Sequence, residues 1–200
     1  MLIKVCGMRS PQQVREVEEL ADYIGFIFYE GSKRFVERTP TVHRSKKVGV
    51  FVNASIKEVR HAIEQHSLNT VQLHGDETPE FCREIRRDVE VIKAFGVDPY
   101  FSFGKTKPFE DVVDFFLFDT RTSSYGGSGK QFDWSLLSNY RGEIPFLLSG
   151  GINPRSLTSI QALRHPKLIG VDLNSGFEQA PADKDIEGLS AFIHQLKHTP

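Results

Sequence analysis

Phe115-Phe116-Leu117-Phe118-Asp119-Thr120-Arg121 sets an unbroken apolar run against a carboxylate at its end. A run of this length is what a strand covered on both faces looks like. The residues that follow, Thr122-Ser123-Ser124-Tyr125-Gly126-Gly127-Ser128-Gly129-Lys130, read as a loop by composition. A carboxylate therefore stands where a buried strand opens into a loop. Leu2-Ile3-Lys4-Val5-Cys6-Gly7 repeats the arrangement with a thiol in the carboxylate's place.

Outward from these two runs, short stretches rich in Val, Ile and Phe recur at residues 2–6, 23–28, 48–52, 70–73, 89–94, 115–119, 144–148 and 168–172. Amphipathic segments lie between several of them, at 11–20, 56–65, 79–87 and 154–163, with a last one at 185–196. Ser10 before Pro11, with Gln13 three places on, has the spacing of a capping box, and Asn153-Pro154 reads as an N-cap and first helical residue. Eight strand-helix units in 200 residues predict an α/β protein, a single-domain (β/α)8 TIM barrel over residues 1–200, with a doubly wound open sheet as the competing arrangement. The second and fifth helical segments are abbreviated: 39–46 is short and polar, and 98–107 carries Pro99 and Gly104 without periodicity.

Twenty-five basic and 26 acidic residues leave a net charge of -1, which supplies no field to draw in nucleic acid. The two cysteines, Cys6 and Cys82, are far apart in the chain, so neither a disulfide framework nor a zinc knuckle is indicated, and a reducing, cytoplasmic setting is expected. The amino end has no basic leader with an extended apolar core, and no stretch approaches the ~18 apolar residues of a membrane span. Composition leaves monomer and dimer both open.

Strand side chains alternate, so if Cys6 points into the barrel, Lys4 does too, while Ile3 and Val5 face outward. The same parity groups Gln72 with His74 and makes Asp119 and Asp172 inward carboxylates at their strand ends. A thiol, an imidazole and two carboxylates at one rim have no packing use, and burying them unpaired costs a few kcal/mol each. Ser149-Gly150-Gly151 follows the seventh strand and Asn174-Ser175-Gly176 the eighth, the two places where such barrels commonly hold a phosphate on backbone N-H groups. Gly126-Gly127-Ser128-Gly129-Lys130-Gln131 has neither the P-loop spacing nor the dinucleotide fingerprint. His61, His66, His165, His194 and His198 sit among polar residues and read as solvated, and Cys82 reads as packing.

Lys4-Val5-Cys6-Gly7-Met8-Arg9, Gly25-Phe26-Ile27-Phe28, Ser32-Lys33-Arg34, Val48-Gly49-Val50-Phe51-Val52-Asn53, Val71-Gln72-Leu73-His74-Gly75, Asp119 with Tyr125-Gly126-Gly127-Ser128-Gly129, Phe132-Asp133-Trp134, Ser149-Gly150-Gly151 and Val171-Asp172 stand in one order along nearly the whole chain. In that order they resemble the signature blocks of the phosphoribosylanthranilate isomerases, barrel enzymes of tryptophan biosynthesis. The resemblance implies an Amadori rearrangement of a phosphorylated small-molecule substrate, with neither metal nor organic cofactor. It implies Asp119 as general acid and Cys6 as base, and it gives Arg34 the substrate's anthranilate carboxylate. His74 and Asp172 are expected as substrate contacts, and Gly150, Gly151, Ser175 and Gly176 as the phosphate cradle. The chain departs from the family at Asn174, usually a small residue, and at Ala182, usually glycine. Two other readings compete. One is another phosphosugar isomerase or epimerase, although only His74 fits the metal-binding pattern of an epimerase. The other is a barrel that binds a phosphorylated aromatic ligand without turning it over.

Overall fold

The computed structural model describes residues 1–121 and 131–198. The Tyr125 to Gly129 block, and the Gly126 to Lys130 run dismissed as a nucleotide loop, lie outside the described residues.

Eight parallel strands close on themselves in sequence order: β1 (Leu2–Val5), β2 (Tyr23–Ile27), β3 (Lys46–Phe51), β4 (Thr70–Leu73), β5 (Glu90–Val97), β6 (Phe115–Thr120), β7 (Phe146–Leu148) and β8 (Leu168–Leu173). The seam between first and last strands is set by Leu2 opposite Gly170 and Lys4 opposite Asp172. The chain is therefore a TIM barrel, and the open-sheet alternative falls. Alternation divides its apolar side chains into two cores. Ile92, Ala94, Leu117 and Leu147 fill the barrel interior, while Ile3, Val5, Val71, Phe116 and Phe118 belong to the larger core under the outer elements.

The outer layer is uneven. Helices α1 (Pro11–Val17), α2 (Ile56–His66), α3 (Pro79–Arg86), α4 (Leu157–Ala162) and α5 (Ile186–His198) cover part of the barrel. No helix separates β2 from β3, the fifth unit is a 3-10 turn at Phe103–Phe109, and the sixth is another at Trp134–Asn139. The shortened second and fifth units were expected; the sixth was not. The space at the fifth and sixth units is taken by rings instead. Phe95 meets Phe109 and Phe116 edge-on, each at 5.4 Å, and Phe118 meets Phe103 at 5.3 Å, Tyr140 at 5.4 Å and Phe146 at 5.1 Å. Each fully buried ring contributes roughly 1.5–3 kcal/mol by transfer from water, and its edge-to-face contacts add to that.

Capping follows the sequence with one correction. Ser10 accepts from the Gln13 backbone N-H, but the Gln13 side chain does not return to close a box. It donates to Asp183 Oδ1 at 2.9 Å and to the Lys184 carbonyl at 3.0 Å, tying α1 to the strand pair β9 (Glu178–Ala180) and β10 (Asp183–Lys184). Two histidines also depart from expectation. His66 is buried against Phe28, and His165 packs on Phe146 and Tyr140, because each sits where a helix or loop end turns onto the aromatic core. Cys82 is fully buried, as packing requires. Among the described residues no helix is long and apolar enough to cross a membrane.

Candidate active site

The carboxyl ends of the strands surround a cavity of about 620 Å³. Cys6, His74, Asp119, Gly150, Gly151, Asp172 and Ser175 line it; Arg34 and Gly176 do not. Cys6 is held one residue past β1, where its N-H donates to Leu173 O at 2.9 Å. Asp119 lies within β6, and its Oδ1 accepts the Thr120 N-H at 2.7 Å. His74 follows β4 and places Nε2 3.4 Å from Asp119 Oδ2.

Beneath them is a buried ion pair. Lys4 Nζ lies 2.8 Å from Asp172 Oδ1, and Ser149 Oγ is 3.4 Å from the other oxygen. Burial acts to pull Lys4 down, but Asp172 and the Cys6 thiol together keep it above its ordinary value, so it is a cation. For Cys6 the balance runs the other way: burial pushes the thiol up, more than Lys4 and Lys184 pull it down. A thiol raised in this way is neutral at pH 7 in the free protein. Absorbance of the thiolate near 240 nm, with Cys6→Ser as blank, should therefore stay flat through the ordinary thiol range near pKa 8.5 and rise only above it. Full ionisation by pH 8 would contradict this.

The glycines of the β7 and β8 loops answer to space. Gly150 has φ +84°, and a Cβ there would stand 2.4 Å from Thr120 Oγ1 and 2.9 Å from Asp119 Oδ1. Only glycine adopts that backbone without strain, and only glycine lets the loop close over the carboxylate. Gly176 serves the next loop: a Cβ would meet Ile152 O at 2.0 Å, so this residue seats the β8 loop on the β7 loop rather than facing the cavity. After Asn174 the chain makes a single 3-10 turn, Ser175–Phe177.

Arg34 is placed differently from a free receptor. Its Nε lies 2.9 and 3.0 Å from the two oxygens of Glu178, and its Nη2 lies 2.5 Å from Oε2. Lys184 Nζ adds a third contact, 2.6 Å from Glu178 Oε1, and donates to Asn174 Oδ1 at 2.9 Å. Although burial pushes Glu178 up, the hydrogen bond from Arg34 and the charge of Lys184 hold its carboxyl below the usual range. The polar residue at 174 thus has a partner. Ala182 has φ +67°, the left-handed region in which a side chain is strained and which the glycine expected here from the resemblance would adopt freely.

Four groups carry no assignment from sequence: Gln72, the Lys93–Glu77 pair and the wall of Phe95, Phe101 and Phe109, which line the cavity, and Glu178, which lies outside it and holds Arg34. Lys93 is 3% exposed, lies 3.1 Å from Glu77 Oε2 and donates to Gly75 O at 2.7 Å, so it props the loop that carries His74. The parity that put Gln72 beside His74 was the one available signal for these four.

A closed parallel barrel with a thiol, an imidazole and two carboxylates converging on one rim cavity, between two glycine-bearing loops, defines a TIM-barrel enzyme. A sequence model of the family described as N-(5'-phosphoribosyl)anthranilate (PRA) isomerase matches residues 3–195. The N-(5'-phosphoribosyl)anthranilate isomerase of Parabacteroides distasonis is 53% identical over 208 residues, covering 99% of this chain and 94% of that one. The crystal structure of phosphoribosyl anthranilate isomerase from Thermotoga maritima superposes with a TM-score of 0.86 at 36% identity over the full length of both chains. A phosphoribosyl anthranilate isomerase in complex with reduced 1-(o-carboxyphenylamino)-1-deoxyribulose 5-phosphate superposes with a TM-score of 0.82 at 32% identity, again over both full lengths. The chain belongs to the N-(5'-phosphoribosyl)anthranilate isomerase family.

Proposed function

We propose that residues 1–200 form one catalytic domain that converts N-(5'-phosphoribosyl)anthranilate into 1-(o-carboxyphenylamino)-1-deoxyribulose 5-phosphate in tryptophan biosynthesis, without metal or organic cofactor. What carries the reading is membership of the isomerase family along the chain together with Cys6 and Asp119 on one cavity. The ligand of the related complex is the reduced form of this product.

The chemistry needs two proton transfers. The C–O bond of the aminofuranose breaks, its electron pair going to the ring oxygen, which takes a proton from Asp119, while the anthranilate nitrogen lone pair forms an iminium. The iminium makes the neighbouring sugar C–H acidic. Cys6 as thiolate removes that proton to give an enolamine, which becomes the ketone as C1 gains a proton and the C2 hydroxyl loses one. A buried thiol is a poor base in the free enzyme, and the positive charge of the iminium, with Lys4 beneath, favours its ionisation when the base is needed.

The substrate's phosphate is assigned to the backbone N-H groups of the Gly150-Gly151 and Ser175 loops, with Gly176 holding them together. Asp172 is assigned to orienting the site from its pair with Lys4. Arg34 is assigned the anthranilate carboxylate through Nη1, since Glu178 occupies its other edge. Both cysteines are free and buried, as in a reducing compartment, and we place the activity in the cytoplasm on that ground.

The test is to generate the substrate in situ and follow loss of its anthranilate fluorescence, with and without a chelator. Rapid turnover that survives chelation is expected. A folded protein that binds the substrate and never turns it over would instead be the ligand-binding barrel.

A further inference from the structure

Glu178 takes no part in the proton transfers, yet both its oxygens are engaged and its side chain is 4% exposed. Oε1 accepts from Arg34 Nε at 2.9 Å, from Lys184 Nζ at 2.6 Å and from the Ala182 N-H at 3.2 Å. Oε2 accepts from Arg34 Nε at 3.0 Å and from Nη2 at 2.5 Å. We propose that Glu178 is a positioning residue that aims Arg34 at the substrate's anthranilate carboxylate, so that it governs recognition of that carboxylate and not the chemical step. This rests on the reading of Arg34 as the carboxylate's receptor.

The path of the arginine shows what there is to aim. Arg34 leaves the β2 loop, where its N-H is held by Ser32 Oγ at 3.1 Å, and its stem crosses Gly7. A Cβ on Gly7 would stand 2.6 Å from Arg34 Cδ and 2.8 Å from Asn174 Oδ1. Cys6, the residue before Gly7, and Asn174 both line the cavity, so the stem passes along the cavity's edge. A long side chain in such a place has many rotamers, and ordering it costs entropy that the substrate would otherwise have to supply. Glu178 removes that freedom beforehand by gripping one edge of the guanidinium, Nε with Nη2. A planar group held along one edge has its plane fixed, and the Nη1 hydrogens then point away from the grip, free of Glu178.

Glu178 is itself fixed. It stands opposite Lys184 in the β9–β10 pair, Gln13 anchors that pair on α1, and Lys184 ties the carboxylate to Asn174 on the β8 loop. The contacts from Lys184 and Ala182 also keep Glu178 from cancelling Arg34, because its charge is divided between two cations and a backbone N-H. Arg34 therefore keeps positive charge for a second carboxylate on its open side.

The experiment compares two compounds made from ribose 5-phosphate: N-(5'-phosphoribosyl)anthranilate, and N-(5'-phosphoribosyl)aniline, which lacks the carboxylate. Product formation gives kcat and KM for the wild-type protein, Glu178→Gln, Arg34→Met and the double variant Glu178→Gln with Lys184→Met, each checked by thermal melt. The double variant removes the buried cation that Glu178→Gln leaves short of a partner. Both Glu178 variants should raise KM for the anthranilate compound at least about tenfold, the size of one hydrogen bond to a charged group, with kcat changed less than about threefold. KM for the aniline compound should move far less. Equal losses on both compounds would mean a merely structural role and overturn the proposal. An unchanged KM would overturn it too, as would a lower one, which would make Glu178 a competitor of the substrate. Arg34→Met separates this from the reading beneath it. If that variant still discriminates the two compounds as the wild type does, Arg34 is not the receptor. If it loses the discrimination and Glu178→Gln keeps it, Arg34 stands and the role of Glu178 falls.

Discussion

Asp119→Asn lowers kcat for phosphoribosylanthranilate at least ~100-fold while leaving the fold intact, the usual size of a positioned acid or base. Asparagine keeps the shape of the side chain and an oxygen for the Thr120 N-H, but it has no proton of suitable acidity for the ring oxygen. KM changes little, because Arg34 and the loops proposed to hold the phosphate are untouched. Cys6→Ser is expected to lose as much, since a serine hydroxyl in a site that already pushes a thiol up is not ionised at any working pH. Steady-state turnover of the two folded variants checks both. If either retained more than a tenth of wild-type turnover, that residue would lose its assigned role.

Lys4→Met produces the largest change in stability. Lys4 is fully buried and Asp172 is 6% exposed, and removing the cation leaves a carboxylate in the barrel without its counter-charge. Breaking a buried pair in this way costs about 3–5 kcal/mol. For a chain of this size that lowers Tm by roughly 6–20 °C, at about 2–4 °C per kcal/mol. The pH dependence has a definite sign. Burial already pushes Asp172 up, with Lys4 opposing; without Lys4 its folded pKa lies further above that of the unfolded chain. The folded variant then binds a proton more tightly than the unfolded one, so its deficit is smallest in acid and grows as pH rises through the raised carboxyl range. Lys4→Met combined with Asp172→Asn should recover much of the loss. Thermal melts between pH 5 and 8 decide the matter, and a deficit that does not vary with pH would contradict the account.

The barrel was legible because its strands are short, apolar and covered on both faces, so eight runs such as 70–73 and 168–172 stand out from polar surroundings. The inward polar set was legible from parity, which needs only the strand assignment. The partner of Arg34 was not: Glu178 is 144 residues away, and no local pattern announces a contact of that separation. The 3-10 turn found in the described residues of the sixth unit was hidden for a related reason. Tyr140, which follows the Trp134–Asn139 turn, is packed by Phe116 and Phe118 of β6 and Phe146 of β7, and tertiary packing of that kind overrides local propensity. Likewise His66 and His165 looked solvated by their neighbours in sequence, but in space His66 is buried and His165 is half-buried against Phe146 and Tyr140.

The wall of phenylalanines behind the fifth and sixth units has a consequence for variation. A helix packed on a barrel is fixed in length and pitch by its own hydrogen bonds and by the ridges it presents. Ring contacts between Phe95, Phe103, Phe109, Phe118 and Tyr140 ask only that the rings meet at a suitable tilt. The connecting backbone on that side is thus released from a repeat, and it can be shortened, lengthened or rerouted while the strands beneath it keep their register. One flank of the molecule is held by a regular repeat, and the other is where a loop can change at small risk to the carboxyl rim.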